Sequence, residues 1–260
     1  MFDRLQKPFL TVETGEAYQP IRLTYDLSEH ESDGMLSALE KLQCVEKNPH
    51  ANSWNWYWRD ECDELHFESL DSFRRNVEHP VRLGTITLRS NKLFLNLPSF
   101  KRACMAVPFF HKALDHALVH VHHADFLNKV FGIDERLPHG FAELFKDEEL
   151  ERILHERTED YLKVQERCEE AETAEEALRI LSDYTHSEAG KRLPYAERYM
   201  FELASQTDPD VVFLGFYIYL RGRELVAIRR WFGETGYSLA DAADETIEAV
   251  FGGLGVDIIE

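Results

Sequence analysis

The chain has 260 residues, of which 44% are hydrophobic and 30% charged, and its formal net charge is −19. This length corresponds to one large domain or two smaller ones. Such a negative charge argues against a nucleic-acid backbone or a membrane as partner, because both need a positive protein surface, and it favours solubility or a basic protein partner.

Strand-like alternation dominates the first half of the chain. It predicts strands at 9–14, 21–27, 54–58, 81–89, 92–97 and 118–123. Apolar residues at helical spacing predict helices at 33–46 and 100–114, the second capped by Ser99. We therefore expect an α+β fold, with an N-terminal mixed or antiparallel sheet and two helices, followed by a mostly α-helical C-terminal half.

The clearest local pattern in this half is a hairpin. Strands 81–89 and 92–97 flank the dipeptide Ser90-Asn91, and Leu93 and Leu95 share one face of the second strand. The apolar positions of the first strand change sides across Gly84, which predicts a β-bulge at that glycine.

Helical spacing replaces the strand patterns after Asp125. It predicts helices at 126–132, at about 147–170, from Pro194, from Pro209 and from Ser238 to about Phe251. The apolar run 211–220 favours a buried helix, although its β-branched and aromatic residues leave a strand or hairpin open.

The charge balance changes at the same place. Residues 1–130 contain 15 Lys and Arg against 18 Asp and Glu, whereas residues 131–260 contain 14 against 30. We therefore predict two domains: an α+β domain at 1–130 and an acidic helical domain at 131–260.

Cysteine usage and hydropathy predict the compartment. The chain begins without a secretory signal pattern, and none of its cysteines, Cys44, Cys62, Cys104 and Cys168, forms a CxxC pair. Reduced thiols in a cytoplasm are the expectation. The longest apolar run, 211–220, is far shorter than the roughly 20 residues that cross a bilayer, so no membrane association is expected.

Histidines concentrate in residues 111–125, which contain five histidines and two aspartates. Imidazole is the commonest metal ligand in proteins, so this segment is the candidate site for a transition metal. The candidate ligands are His116, His120, His122, His123 and Asp125.

A strand at 118–123 would point His120 and His122 to one face and His123, with Val121, to the other. The spacing resembles the HxHxDH of metallo-β-lactamase-type hydrolases, but Ala124 separates His123 from Asp125 and no second histidine follows. The alternative is a half-exposed edge strand that uses histidine on its polar face, with no metal or other cofactor.

Two further sets of residues allow a functional and a structural interpretation. Trp54, Trp56 and Trp58 could form an aromatic platform or could pack under a helix as core. Four arginines in the acidic half could bind phosphate or carboxylate, or could pair with neighbouring glutamates; they are Arg221, Arg223, Arg229 and Arg230.

Residues 83–103, LGTITLRSNKLFLNLPSFKRA, resemble a strand–turn–strand–helix module of uncharacterised bacterial proteins. The pattern is LGxIxLxxxxLxLxxxSxxRA, and its matching residues are Leu83, Gly84, Ile86, Leu88, Leu93, Leu95, Ser99, Arg102 and Ala103. Some proteins with this module also carry a helical domain similar to the toxin-binding end of certain antitoxins, which this chain does not clearly show. The resemblance implies a bacterial α+β protein and assigns no catalytic residue.

The sequence therefore supports two functional hypotheses. The first is a non-enzymatic interaction or regulatory module whose acidic half binds a basic protein, because the chain lacks the usual phosphate-binding, nucleophile-elbow, HExxH and EF-hand motifs. The alternative is a metal-dependent hydrolase centred on the segment His116–Asp125.

Overall fold

The computed structural model describes residues 8–67, 80–114, 121–137, 148–171, 193–201 and 208–252, with residue 144 and isolated positions between 173 and 187. Its strands are β1 (Ile21–Asp26), β2 (Val45–Lys47), β3 (Ser53–Tyr57), β4 (Arg82–Arg89), β5 (Lys92–Leu97), β6 (Val121–Leu127) and β7 (Ala196–Met200). The helices of this part of the chain are α1 (Glu29–Leu39), α2 (Phe100–Ala113), α3 (Glu148–Glu169), α4 (Pro209–Trp231) and α5 (Leu239–Gly252). The expected α+β class is confirmed.

The seven strands form one antiparallel sheet in the order β2-β3-β4-β5-β1-β6-β7. The first strand in the chain, β1, lies inside the sheet, where it pairs with β5 on one side and β6 on the other. Among the described strands, the short β2 and the late β7 are the outermost two.

The β4–β5 hairpin is confirmed. Ser90 and Asn91 have φ angles of +48° and +61°, the left-handed pair that a two-residue hairpin turn requires. The predicted bulge lies one residue before Gly84: Trp56 of β3 pairs with Gly84 and Tyr57 with Arg82, which makes Leu83 the extra residue. A Cβ atom on Gly84 would lie 2.6 Å from Leu97 Cδ2 and 3.0 Å from the Asn96 carbonyl oxygen, so this position needs glycine.

One face of the sheet is the core. Directly paired residues share a face, and one such row crosses five strands with exposures of 0–2%; it consists of Trp54, Ile86, Leu95, Leu23 and Ala124. Helix α2 covers this face, and the ring of Trp56 packs 5.0 Å from that of Phe110. The three tryptophans of 54–58 are 0–5% exposed, so the core interpretation is confirmed and the platform interpretation is wrong.

The buried Arg102 of α2 forms hydrogen bonds to the N-terminal loop. Ser99 caps this helix, its hydroxyl accepting from the Arg102 N–H at 3.2 Å. The Arg102 guanidinium, with 0% side-chain exposure, donates to Glu16 at 3.4 Å and Thr14 at 2.7 Å in the loop, and to the carbonyl oxygen of Arg82 at 2.8 Å in β4. Its charge is thus compensated by Glu16, whose side chain is 2% exposed.

Two predicted helices are strands or loop in the structure. The segment 126–132 completes β6 as far as Leu127 and then becomes loop, with Gly132 bridging to Phe9. Pro194 precedes β7 rather than a helix. In both places, pairing with a neighbouring strand overrides a local pattern that also fits a helix turn. The predicted strand 9–14 contains isolated bridges only.

Contacts divide the chain into two compact units. The first, the sheet unit, comprises Pro8–Glu135 and Tyr199–Tyr217. The second comprises the described residues within Arg136–Arg198 and Ile218–Glu260, and its core includes Leu225, Val226 and Ala242. No helix in the described ranges is long and apolar enough to span a bilayer.

Candidate functional site

The histidine segment contributes to the interior of the sheet. Strand β6 lies between β1 and β7, so the expectation of an edge strand is wrong. Its register against β1 shifts: Thr24 pairs with His123, whereas Tyr25 pairs with Val121, which makes His122 the extra residue of a bulge. This bulge places His123 on the face of Thr24, opposite to Val121, and corrects the predicted grouping of His123 with Val121.

The bulge brings two of the five predicted ligands together. The Nδ1 atoms of His122 and His123 are 2.7 Å apart, so one ring donates and the other accepts. Beyond them, His123 Nε2 lies 3.4 Å from a carboxylate oxygen of Asp125, whose side chain is 7% exposed. Since His122 is exposed and Asp125 buried, the three side chains form a polar chain from the surface into the sheet.

The predicted metal site is represented only in part. His116 and His120 lie outside the described residues. Among the residues that are described, no three His, Cys, Asp or Glu side chains lie together in a position to hold a metal ion. The metal site therefore stays a prediction.

Sequence reasoning missed the polar residues that share this face. Arg22 pairs with Asp125 across the β1–β6 interface and donates to the Asn96 side chain at 2.8 Å, and its guanidinium lies 5.3 Å from the ring centroid of Phe94. Thr24, beside His123, is 2% exposed. Alternation within β1 could have predicted that Arg22 and Thr24 share one face. Which residues of another strand lie beside them depends on the order of strands in the sheet, which that pattern does not contain.

The arginines of the acidic half are paired. Arg223 binds both carboxylate oxygens of Glu197, at 2.7 and 3.2 Å, and stacks on Tyr219. Arg221 bonds to Glu224, Arg229 to Glu234 and Glu245, and Arg230 to the Tyr237 carbonyl oxygen. The pairing interpretation is confirmed for Arg221, Arg223 and Arg229.

Apolar side chains are exposed along the N-terminal half of α4, although the sequence predicted a buried helix there. Val211, Leu214 and Tyr217 recur every third residue and are 59%, 36% and 39% exposed. We call these three residues the α4 stripe. The opposite side is anchored by Phe216, which is 1% exposed and packs its ring 4.9 Å from that of Phe201. Buried and exposed faces of this helix segment are therefore both apolar.

The α4 stripe lies in an acidic stretch of the chain. Residues 199–220 contain no Lys or Arg, and their charged residues are Glu202, Asp208 and Asp210. Asp208 and Asp210 are exposed at the start of the helix. An apolar helix face with acidic residues at one end is typical of an interaction site for a basic, amphipathic partner.

No family model, no curated protein and no solved structure proved similar to this chain in comparisons with all three.

Proposed function

We propose that this chain is a protein-binding module of the bacterial cytoplasm, and that the α4 stripe binds a basic amphipathic helix of another protein. The observation that carries the proposal is the exposure of Val211, Leu214 and Tyr217 on one helix face. An amphipathic helix binds such a face by packing its own apolar side chains, repeated at helical spacing, against it.

Charge supports a basic partner. The chain carries a net charge of −19, and the stripe begins next to the exposed Asp208 and Asp210. Complementary charge raises the association rate and excludes acidic competitors, whereas the apolar contacts supply most of the affinity. Binding is therefore expected to weaken as the salt concentration rises. Most of the affinity is nevertheless expected to come from the apolar side chains of the α4 stripe.

A synthetic helix of leucine and lysine, labelled with fluorescein, tests the proposal by fluorescence anisotropy. Leu214→Asp is expected to weaken its binding by about tenfold or more, because it removes a central apolar anchor. The substitution adds negative charge, so any loss cannot come from weaker charge attraction. The same peptide with glutamate in place of lysine is expected not to bind.

Leu162 supplies the matched control. It is 47% exposed on α3, away from the α4 stripe in sequence, so Leu162→Asp makes the same chemical change. This variant is expected to bind the peptide within about twofold of wild type, since a rim or distant position contributes little. Equal loss in the two variants would contradict the proposal, as would self-association of the chain that Leu214→Asp abolishes in sedimentation equilibrium.

A metal-dependent hydrolase centred on His116, His120, His122, His123 and Asp125 is the second candidate. The observation that favours it is the 2.7 Å separation of the His122 and His123 Nδ1 atoms. Two nitrogens bound to one tetrahedral zinc lie about 3.3 Å apart, so a small adjustment would let both bind.

Elemental analysis of protein purified without a histidine tag separates the two candidates. We expect no stoichiometric transition metal, and we expect His122→Ala to change the free energy of unfolding by less than about 1 kcal/mol, because His122 is exposed and water can replace its side-chain contacts. One metal per chain, lost in His122→Ala or His123→Ala, would instead support the hydrolase.

A further inference from the structure

Two buried cysteines meet at one edge of the sheet. Cys44 immediately precedes the edge strand β2, and Cys62 ends the short 3-10 turn Asp60–Cys62 that follows β3. Both residues are 0% exposed and neither forms a disulfide. The other two cysteines, Cys104 and Cys168, are partly exposed.

The hydrogen bonds of Glu61 and of the neighbouring strand hold these cysteines together. The Glu61 carboxylate accepts the backbone N–H groups of Gln43 and Cys44, each at 2.9 Å, and thereby joins the turn to the start of β2. The Tyr57 N–H donates to the Cys44 carbonyl oxygen at 2.8 Å. The Glu61 side chain thus holds the Cys44 backbone against the residue that immediately precedes Cys62.

The two sulfurs have different surroundings. Trp56 Nε1–H donates to Cys62 Sγ at 2.9 Å, so the indole holds that sulfur in a fixed position. At Cys44, the hydrogen bond to Cys62, burial and the Glu61 carboxylate raise the pKa of the thiol well above its ordinary value. Cys62, whose sulfur accepts the indole N–H, is therefore assigned the attacking role.

We propose that Cys44 and Cys62 are a redox-active pair that closes to a disulfide when the protein meets a hydroperoxide, with Cys62 as the attacking and Cys44 as the resolving residue. The hydrogen bond of Glu61 positions Cys44, and that of Trp56 positions Cys62. A hydroperoxide is small enough to enter when the 3-10 turn opens. That turn is short, and its first residue, Asp60, has a left-handed φ of +54°, which disfavours the closed form.

The chemistry balances for hydrogen peroxide. The Cys62 sulfur attacks one peroxide oxygen, the O–O bond breaks, and the departing hydroxide leaves as water with the Cys62 proton. The resulting Cys62 sulfenic acid is attacked by the Cys44 sulfur; its S–O bond breaks, and hydroxide leaves as a second water with the Cys44 proton. Two thiols are oxidised to one disulfide, and one peroxide is reduced to two waters.

Peptide mapping of the full chain tests the pair. Native protein is treated with hydrogen peroxide, remaining thiols are alkylated, and the chain is digested with trypsin without reduction. Cleavage at Lys41, Lys47, Arg59 and Arg74 is expected to leave peptides 42–47 and 60–74 joined by a disulfide. Dithiothreitol should release them, and the joined form should be absent when the protein is oxidised unfolded in urea or carries Cys62→Ser.

Cys104→Ser is the matched control, because it removes a cysteine outside the pair and is expected to leave the crosslink unchanged. Three outcomes would overturn the proposal. The first is oxidation of Cys104 or Cys168 at peroxide doses that leave Cys44 and Cys62 alkylated after unfolding. The second is sulfinic acid at Cys62 without a disulfide, which would mean that Cys44 does not resolve the intermediate. The third is an equal yield of the 42–47 to 60–74 crosslink in unfolded chains.

Discussion

Replacing Arg102 with methionine is expected to lower the free energy of unfolding by about 3–5 kcal/mol, because the substitution leaves the charge of Glu16 buried without its partner. The Arg102 and Glu16 side chains are 0% and 2% exposed. The substitution also removes the hydrogen bonds that Arg102 donates to Thr14 and to the carbonyl oxygen of Arg82, so the loop, the helix and the sheet are all affected. Urea unfolding followed by tryptophan fluorescence measures this decrease in the free energy of unfolding.

A double variant identifies the cause of that loss. Adding Glu16→Gln to Arg102→Met removes the uncompensated charge and is expected to recover about 1 kcal/mol or more. Arg152 on α3 is the matched control: it is 60% exposed and pairs with Glu156 one turn away, so Arg152→Met should cost less than about 0.5 kcal/mol. A loss below about 1 kcal/mol for Arg102→Met would contradict the role of this ion pair.

Leu95→Ala is expected to lower the free energy of unfolding by about 2–5 kcal/mol, since it opens a cavity in the centre of the sheet. Leu95 is 1% exposed and pairs with Leu23 and with Ile86 in the buried row. Three of the four tryptophans lie on β3 or directly after it in the same sheet, at 54–58, so their fluorescence reports the sheet unit directly.

Leu162→Ala is the control for this change because Leu162 is 47% exposed, and it should cost less than about 0.5 kcal/mol. The dependence of the unfolding free energy on urea should keep the same slope in both variants. A loss below about 0.5 kcal/mol for Leu95→Ala would mean that Leu95 does not face the core.

Local chemistry explains why the β4–β5 hairpin and the start of α2 could be predicted. Ser90 and Asn91 supply the turn, and Ser99 supplies the cap, within a few residues of the elements that they define. The buried face of 54–58 followed from alternation for the same reason. These features depend on neighbours in the chain, which the sequence displays directly.

Features that depend on pairing between distant strands could not be predicted in this way. The bulge at His122 exists because β6 pairs with β1, and the pairing of β7 with the sheet overrides the helix pattern after Pro194. Cys44 lies in the predicted helix 33–46 and Cys62 in no predicted element, and the hydrogen bonds of Glu61 bring their segments together. The exposure of Leu214 likewise depends on which side of α4 Phe216 anchors.

The position of β1 between β5 and β6 has a consequence for the order of folding. The bond from Arg22 to Asn96 joins residues 74 positions apart in the chain, whereas β4 and β5 are joined by a two-residue turn. Closing a long loop costs more conformational entropy than closing a hairpin. We therefore expect the hairpin to form first and β1 to enter the sheet late, so that a chain emerging from the ribosome exposes the apolar side of β1 until β5 and β6 have been made.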